Sequence, residues 1–186
     1  MNSKEKQDKF LELFQEINDS LYMYARALTK NQEDAEDLVG DTIVACFEKF
    51  ESLRELSSFK GYVFKTIRSL HRQKHRRQWL FGIFDEKQSD ELISNEPAPD
   101  LPLDIAILYN ALDKLPELQK EALVLFEISG FSIKEIKQVQ GGTESGVKSR
   151  IKRGKEKLRE LLIDSNSDKL IYSKRELNEE VTNEQS

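Results

Sequence analysis

Residues 132–153 read Ser-Ile-Lys-Glu-Ile-Lys-Gln-Val-Gln-Gly-Gly-Thr-Glu-Ser-Gly-Val-Lys-Ser-Arg-Ile-Lys-Arg. Ser132 followed three residues later by Glu135 is a capping box, so a helix starts there. Ile133, Ile136 and Val139 give that helix one apolar face, and Gly141-Gly142 ends it. Thr143 caps a second, longer helix predicted over about 144–163, with Val147, Ile151, Leu158, Leu161 and Leu162 turned inward. A short helix, a glycine turn and a longer basic helix make a helix-turn-helix. Ser145, Lys148, Ser149, Lys152 and Arg153 face outward near the start of the second helix. Lys and Arg there reach phosphates and guanine edges in a major groove, and Ser serves either contact. A merely solvated amphipathic helix carries the same pattern.

Working outward, the same helical period runs through most of the 186 residues. Phe10, Phe14, Ile17, Leu21, Tyr24 or Ala25, and Leu28 lie at three- and four-residue spacing, which predicts one helix over about 8–29. Asn31 offers a cap to a second helix over about 32–50, striped by Ala35, Leu38, Val39, Thr42, Ile43, Cys46, Phe47 and Phe50. A third starts near Ser57 or Ser58, with Phe59, Tyr62, Val63, Thr66, Ile67 and Leu70. No segment alternates strictly and no Asn-Gly or Asp-Gly hairpin turn occurs. The fold class is all-α.

The four prolines, Pro97, Pro99, Pro102 and Pro116, divide the chain. The acidic, aperiodic stretch before and among them reads as a linker over 81–104, because so long a gap is unusual inside a domain. The expected organisation is a first helical module over 1–80, that linker, a second module over 105–163 and a polar tail over 164–186 expected to fray. In the second module helical periodicity restarts near Leu103, Pro116 suits a first-turn position, and the next helix closes at Gly130. The linker leaves the relative placement of the modules open. So does the apolar run Trp79-Leu80-Phe81-Gly82-Ile83-Phe84.

Charge follows the same division. The chain carries 29 basic and 34 acidic residues, a net charge of −5, with mean hydropathy −0.63. A pI near 5.3, taken alone, argues against nucleic acid. Yet residues 60–77 hold seven basic side chains and no acidic one, and residues 143–160 hold seven against three. Residues 31–56 hold eight acidic against two basic, and residues 85–104 seven against one. Segment charge, not the total, decides the partners. The acidic helix carries Glu33, Asp34, Glu36, Asp37 and Asp41 towards its N-terminal half, where the helix dipole favours them, and where they also suit a basic partner. The next helix interleaves Tyr62, Phe64, Lys65, Arg68, Arg72, His75 and Arg76, a mixture fit for a nucleic-acid strand or for a solvated surface.

Other chemistry finds no support. One cysteine, Cys46, excludes an internal disulfide and a cysteine metal cluster. His71 and His75 share a helix face, but their neighbours are cationic and a metal would need further ligands. No phosphate loop, HExxH or nucleophile elbow occurs, so no enzyme, metal or cofactor is expected. No apolar run approaches the roughly 20 residues of a membrane span. Residues 1–9 are polar and mixed in charge, unlike a signal peptide, which predicts a cytoplasmic protein.

The order of parts resembles a family. Asp34-Ala35-Glu36-Asp37-Leu38-Val39-Gly40-Asp41-Thr42 resembles the region 2 acidic helix of bacterial RNA polymerase sigma factors, most of all the extracytoplasmic-function (ECF) group. Leu115-Pro116-Glu117, Ser132 to Ile136, and Val147-Lys148-Ser149-Arg150 are similar to region 4 of that group at the family's spacing. The resemblance covers about 8–78 and 105–163. It implies that Asp34, Glu36, Asp37 and Asp41 dock on core RNA polymerase. It implies that Tyr62, Lys65, Arg68, Ser69, Arg72 and Arg76, with the loop at about 51–58, meet a "−10" promoter element. It assigns Thr143, Ser145, Lys148, Ser149, Arg150, Lys152 and Arg153 to a "−35" element, and it implies an anti-sigma factor as a further partner. The chain departs from the family pattern at Gly40 (usually Gln), Tyr62 (Trp), Ser69 (Asn), Gln73 (Asp), Lys137 (Ala), and Gln140 and Gly142 (both apolar). The last three predict a loosely packed helix-turn-helix. A stand-alone helix-turn-helix regulator and a polymerase-binding decoy that has lost its DNA readout are the rival readings.

Overall fold

Helical stripes become helices wherever a cap and a buried face coincide. The computed structural model describes residues 3–29, 31–53, 55–80 and 103–183, and the side chains among them except those of 78–80, 103–104 and 164–183. The run 79–84 and the body of the linker lie outside the described side chains. Every regular element among the described residues is helical. The first module comprises α1 (Ser3–Gln15), α2 (Asn18–Leu28), α3 (Gln32–Glu48) and α4 (Phe59–Leu80), with two short 3-10 turns before α4. The second comprises α5 (Leu103–Asp113), α6 (Glu117–Glu127), α7 (Ile133–Gln140) and α8 (Glu144–Asn183).

Three expectations need correction. The stripe from Phe10 to Leu28 is two helices, not one. At the break, the Ile17 N–H donates to the Phe14 carbonyl at 3.1 Å, a tight turn, and α2 restarts on Asn18, Asp19 and Ser20. Residues of this kind favour helix starts over helix interiors. The tail does not fray after Ile163, because α8 continues to Asn183. Pro116 is the cap of α6 rather than its first helical residue (φ −54°, ψ 135°), and its carbonyl accepts from the Gln119 and Lys120 N–H groups at 2.8 and 3.0 Å.

The other caps form as expected. Asn31 Oδ1 accepts from the Asp34 N–H at 2.7 Å. Ser132 Oγ accepts from the Glu135 N–H at 3.3 Å, while Glu135 Oε2 accepts from the Ser132 N–H at 2.7 Å. These bonds hold the Glu135 carboxyl below its ordinary pKa. Gly141 and Gly142 adopt φ of 80° and 90°, the left-handed region that allows the turn to reverse so sharply.

The core of the first module is aromatic. The Phe10 ring lies 5.2, 5.4 and 5.5 Å from Phe47, Phe50 and Phe59, each edge to face. Those pairs tie α1 to the end of α3 and the start of α4. Cys46, fully buried beside them on α3, has its thiol pushed up to about 11 by burial. In the second module α6 and α8 approach closely at Gly154, where a Cβ would come within 3.3 Å of the Gln119 carbonyl oxygen.

The two modules pack against each other. Phe64 on α4 stacks at 4.7 Å on Phe131 in the turn before α7, so one hydrophobic core runs through both. Tyr109 of α5 donates its hydroxyl to Met23 Sδ of α2 at 3.3 Å, and the Arg26 guanidinium lies 5.5 Å above the same ring. Truncating Phe10 to Ala is expected to destabilise the fold by about 3–5 kcal/mol, read as a lower urea midpoint. A loss below about 1 kcal/mol would show that the aromatic cluster does not anchor α1.

Candidate functional site

Position on a helix sorts the predicted residues into faces. On α4, Lys65, Ser69, Arg72 and Arg76 are exposed at spacings of four, three and four, so they form one stripe. Tyr62 begins the stripe, half-buried. Arg68 does not join it. Its side chain is only 9% exposed, on the face shared with Phe64 and His71, and its Nε donates to Glu121 Oε2 of α6 at 2.7 Å. As folded, the chain commits Arg68 to the second module rather than to the basic stripe.

The acidic helix separates in the same way. Ala35, Leu38, Thr42 and Cys46 of α3 are buried, while Glu36, Asp37, Gly40, Asp41 and Val44 face outward. Lys74 of α4 donates to Asp34 Oδ1 at 2.6 Å, and that bond holds the Asp34 carboxyl below the usual carboxylate range. Glu36 accepts from Gln32 Nε2 at 2.7 Å. No described ion pair involves Asp37 or Asp41. Val44, 60% exposed, continues their face as an apolar spot. A Cβ at Gly40 would meet nothing within 4 Å, so the fold does not require glycine there.

Thr143 caps α8 by accepting from the Gly146 N–H at 3.0 Å. Val147, Ile151 and Gly154 turn inward. This rotation leaves Thr143, Ser145, Lys148, Ser149, Lys152 and Arg153 exposed on the opposite side. Arg150 stands apart. Its Nη1 donates to Gln140 Oε1 at 3.0 Å and to the Gly141 carbonyl at 3.4 Å, which braces the turn. Two of the three departures read as loosening the helix-turn-helix, Gln140 and Lys137, are tied down by polar bonds. Gln140 Nε2 donates to the Leu118 carbonyl at 3.1 Å and to Glu121 Oε2 at 2.9 Å, and Lys137 pairs with Glu144 at 3.6 Å.

Glu121 was not singled out from the sequence, and Gln140 only as a departure from the family pattern. A carboxylate among Ala122, Leu123, Val124 and Leu125 looks like the polar side of an amphipathic helix, and only packing by a second module buries it. His71 and His75 touch ring to ring at 5.1 Å. Burial first, and the neighbouring His75 second, push His71 down to about 4.

Comparison with known proteins fits this geometry. Sigma-70 region 2 matches residues 13–81 and Sigma-70 region 4 matches residues 105–158. The ECF RNA polymerase sigma factor EcfG of Rhodopseudomonas palustris is 30% identical over 77% of this chain and 79% of its own length. The RNA polymerase sigma factor CnrH of Cupriavidus metallidurans is also 30% identical, over 81% of this chain and 84% of its own length. Among solved structures, the sigma factor RpoE in complex with the anti-sigma factor NepR from Bartonella quintana superposes with a TM-score of 0.68 at 28% identity, covering 83% of this chain and 96% of that one. The protein is thus an RNA polymerase initiation subunit carrying both conserved sigma regions. It belongs to the ECF sigma factor family, whose members direct transcription initiation and are in general not enzymes. A stand-alone regulator is not favoured. No described helix is long and apolar enough to cross a membrane.

The buried imidazole makes the fold acid-sensitive. Folded His71 titrates near 4 and an unfolded imidazole near 6.5, so the unfolded chain binds more protons between those values. Stability should be complete above about pH 6.5 and fall by up to roughly 3 kcal/mol as pH drops towards 4. His71→Gln should flatten urea midpoints over that window, and an unchanged slope would remove His71 as the cause.

Proposed function

We propose that the three exposed faces divide the work of promoter-directed initiation. The outward acidic face of α3, with Glu36, Asp37 and Asp41 and with Asp34 at its edge, docks on core RNA polymerase. The stripe Tyr62, Lys65, Ser69, Arg72 and Arg76 on α4, with the loop at about 51–58, engages the "−10" element. There the cations track phosphates while a base leaves the stack at a cost of a few kcal/mol. The outward face of α8, with Thr143, Ser145, Lys148, Ser149, Lys152 and Arg153, lies in the major groove of the "−35" element. Arg150 supports that face through the turn, and Arg68 joins the α4 stripe once released from Glu121. The division into modules at 1–80 and 105–163 is kept for this reading, with α8 running on beyond the second.

The observation that carries this reading is that each candidate face remains exposed although the modules are packed together. An anti-sigma factor is a further partner. An apolar groove between α5, α6 and α8, lined by Leu108, Leu112, Leu123, Val124, Leu158 and Leu162, supports a protein partner on the second module. The protein works in the cytoplasm, without enzymatic activity, metal or cofactor.

In vitro transcription with purified core enzyme tests the whole reading: promoter-specific transcripts are expected, and their absence would overturn it. Lys148→Ala or Arg153→Ala should weaken "−35" binding by about 1–3 kcal/mol if the contact is to a base edge. Promoter strength equal to that of the unaltered chain would refute the assignment. Asp37→Lys should lower core polymerase affinity with the helical circular dichroism unchanged, and full affinity would exclude α3 as the docking face.

A further inference from the structure

The last turns of α4 carry part of the "−10" stripe but bury none of the side chains described there. Leu70 and His71 pack inward, and every residue from Arg72 to Arg77 is exposed. Arg72 and Arg76 therefore sit on a stretch that apolar packing does not orient. A polar tie lies within that stretch. Lys74 follows His71 by three residues and so lies on the same side of α4. Its Nζ donates to Asp34 Oδ1 of α3 at 2.6 Å, between residues 40 apart in sequence. Asp34 is held at its other oxygen as well. Asn31 Nδ2 donates to Asp34 Oδ2 at 3.0 Å, and Asn31 is itself the cap of α3. The carboxylate is thus fixed from both sides, and the Lys74 bond is the foremost reason that it titrates below its ordinary range.

The pair is far from buried, with the Lys74 and Asp34 side chains 47% and 42% exposed. Ion pairs in such surroundings contribute little to global stability. What this one fixes is direction, and its two ends stand beside faces assigned above to different partners. On α3, Asp37 follows Asp34 by about one helical turn, on the face given to core polymerase. On α4, Arg72 and Arg76 flank Lys74 by two residues each, about 3 Å of rise to either side. They lie round on the outward surface while Lys74 reaches back to α3.

We propose that Lys74 is a positioning residue for the "−10" element, and that Asp34 and Lys74 together brace the Arg72–Arg76 end of α4 against the polymerase-docking helix. This role rests on the function proposed above. Lys74 touches neither polymerase nor DNA in it, but sets the direction of the arginines that meet the strand. Asp34, at the edge of the docking face, spends its charge on α4. With α3 held on polymerase, a braced α4 presents Arg72 and Arg76 at one angle to the strand. Without the brace the same cations sweep a range of directions, and ordering them costs part of the binding energy that keeps a base out of the stack.

Holoenzyme assembled from the full chain and core polymerase tests the brace, with permanganate reactivity of thymines in the "−10" element reporting strand opening. Lys74→Met removes the charge and keeps the stem. It should lower the open fraction several-fold, while helical circular dichroism, core polymerase affinity and holoenzyme binding to a "−35" duplex stay unchanged. Lys74→Arg, which keeps a donor within reach of Asp34, should restore opening. Asp34→Asn should lower opening as Lys74→Met does, and the double variant D34N/K74M should lose no more than either single. Singles that open promoters as well as the unaltered chain would overturn the brace and leave the proposed function standing. Loss of opening in Lys74→Met with a gain in Asp34→Asn would overturn it too, since Lys74 would then be a phosphate contact freed when its carboxylate partner is removed. So would an Asp34→Asn chain that loses core affinity and keeps opening, which places Asp34 with the docking residues alone. An unaltered chain that opens no promoter would overturn the function proposed above, and the brace's part in it with it.

Discussion

A carboxylate with no exposed surface sits where two helical modules meet, and the arrangement of the chain follows from satisfying it. Glu121 is buried where α2 packs on α6 and Arg68 of α4 reaches across to it. It is tolerated there because Arg68 and Gln140 both donate to one of its oxygens. Removing one partner of a buried pair strands the other charge, whereas exchanging both for well-packed apolar groups is often neutral or stabilising. Such a pair is weak grounds for stability. Its value lies in geometry, since it sets which face of α4 meets the second module and leaves the Lys65, Ser69, Arg72 and Arg76 stripe pointing away.

The local structure supports that junction from both sides. On one side, the edge-to-face cluster around Phe10 fixes the start of α4, so the rotation of α4 about its axis is settled two turns before Arg68. On the other, the capping box at Ser132 and the positive-φ glycines at 141 and 142 fix α7 and the turn after it. They bring Gln140 back onto α6. Gly154 lets α8 lie close against Gln119, two residues before Glu121. The orientation of α8 is thereby geared to the module boundary through short connections.

Much of this was legible in the sequence. Ser132 with Glu135, Asn31 before an acidic first turn and paired glycines before Thr143 each specify local geometry, and each forms. The apolar stripes identified the buried faces of α3 and α4 because their period needs no partner to be read. The break between Gln15 and Asn18 escaped because Phe14, Ile17 and Leu21 keep helical spacing across a tight turn. The extension of α8 escaped because polar composition is equally compatible with a solvated helix. Arg68 was grouped with the other basic residues of its block, although it lies on the same helical face as Phe64 and His71. Glu121 and Gln140 carry no periodic signal at all. The burial of Glu121 involves Arg68 of the other module, and neither module's pattern contains it.

Cys46 offers a final consequence. With its thiol pushed up to about 11, only roughly one molecule in ten thousand carries a thiolate at neutral pH, and the thiolate is the form that attacks oxidants and disulfides. Being also fully buried and the one cysteine in the chain, it leaves the folded protein without a thiol that answers peroxide or thiol exchange. If thiol oxidation alters the output of this subunit, the sensing cysteine belongs to another molecule, and this one receives the message only as a change in what binds it.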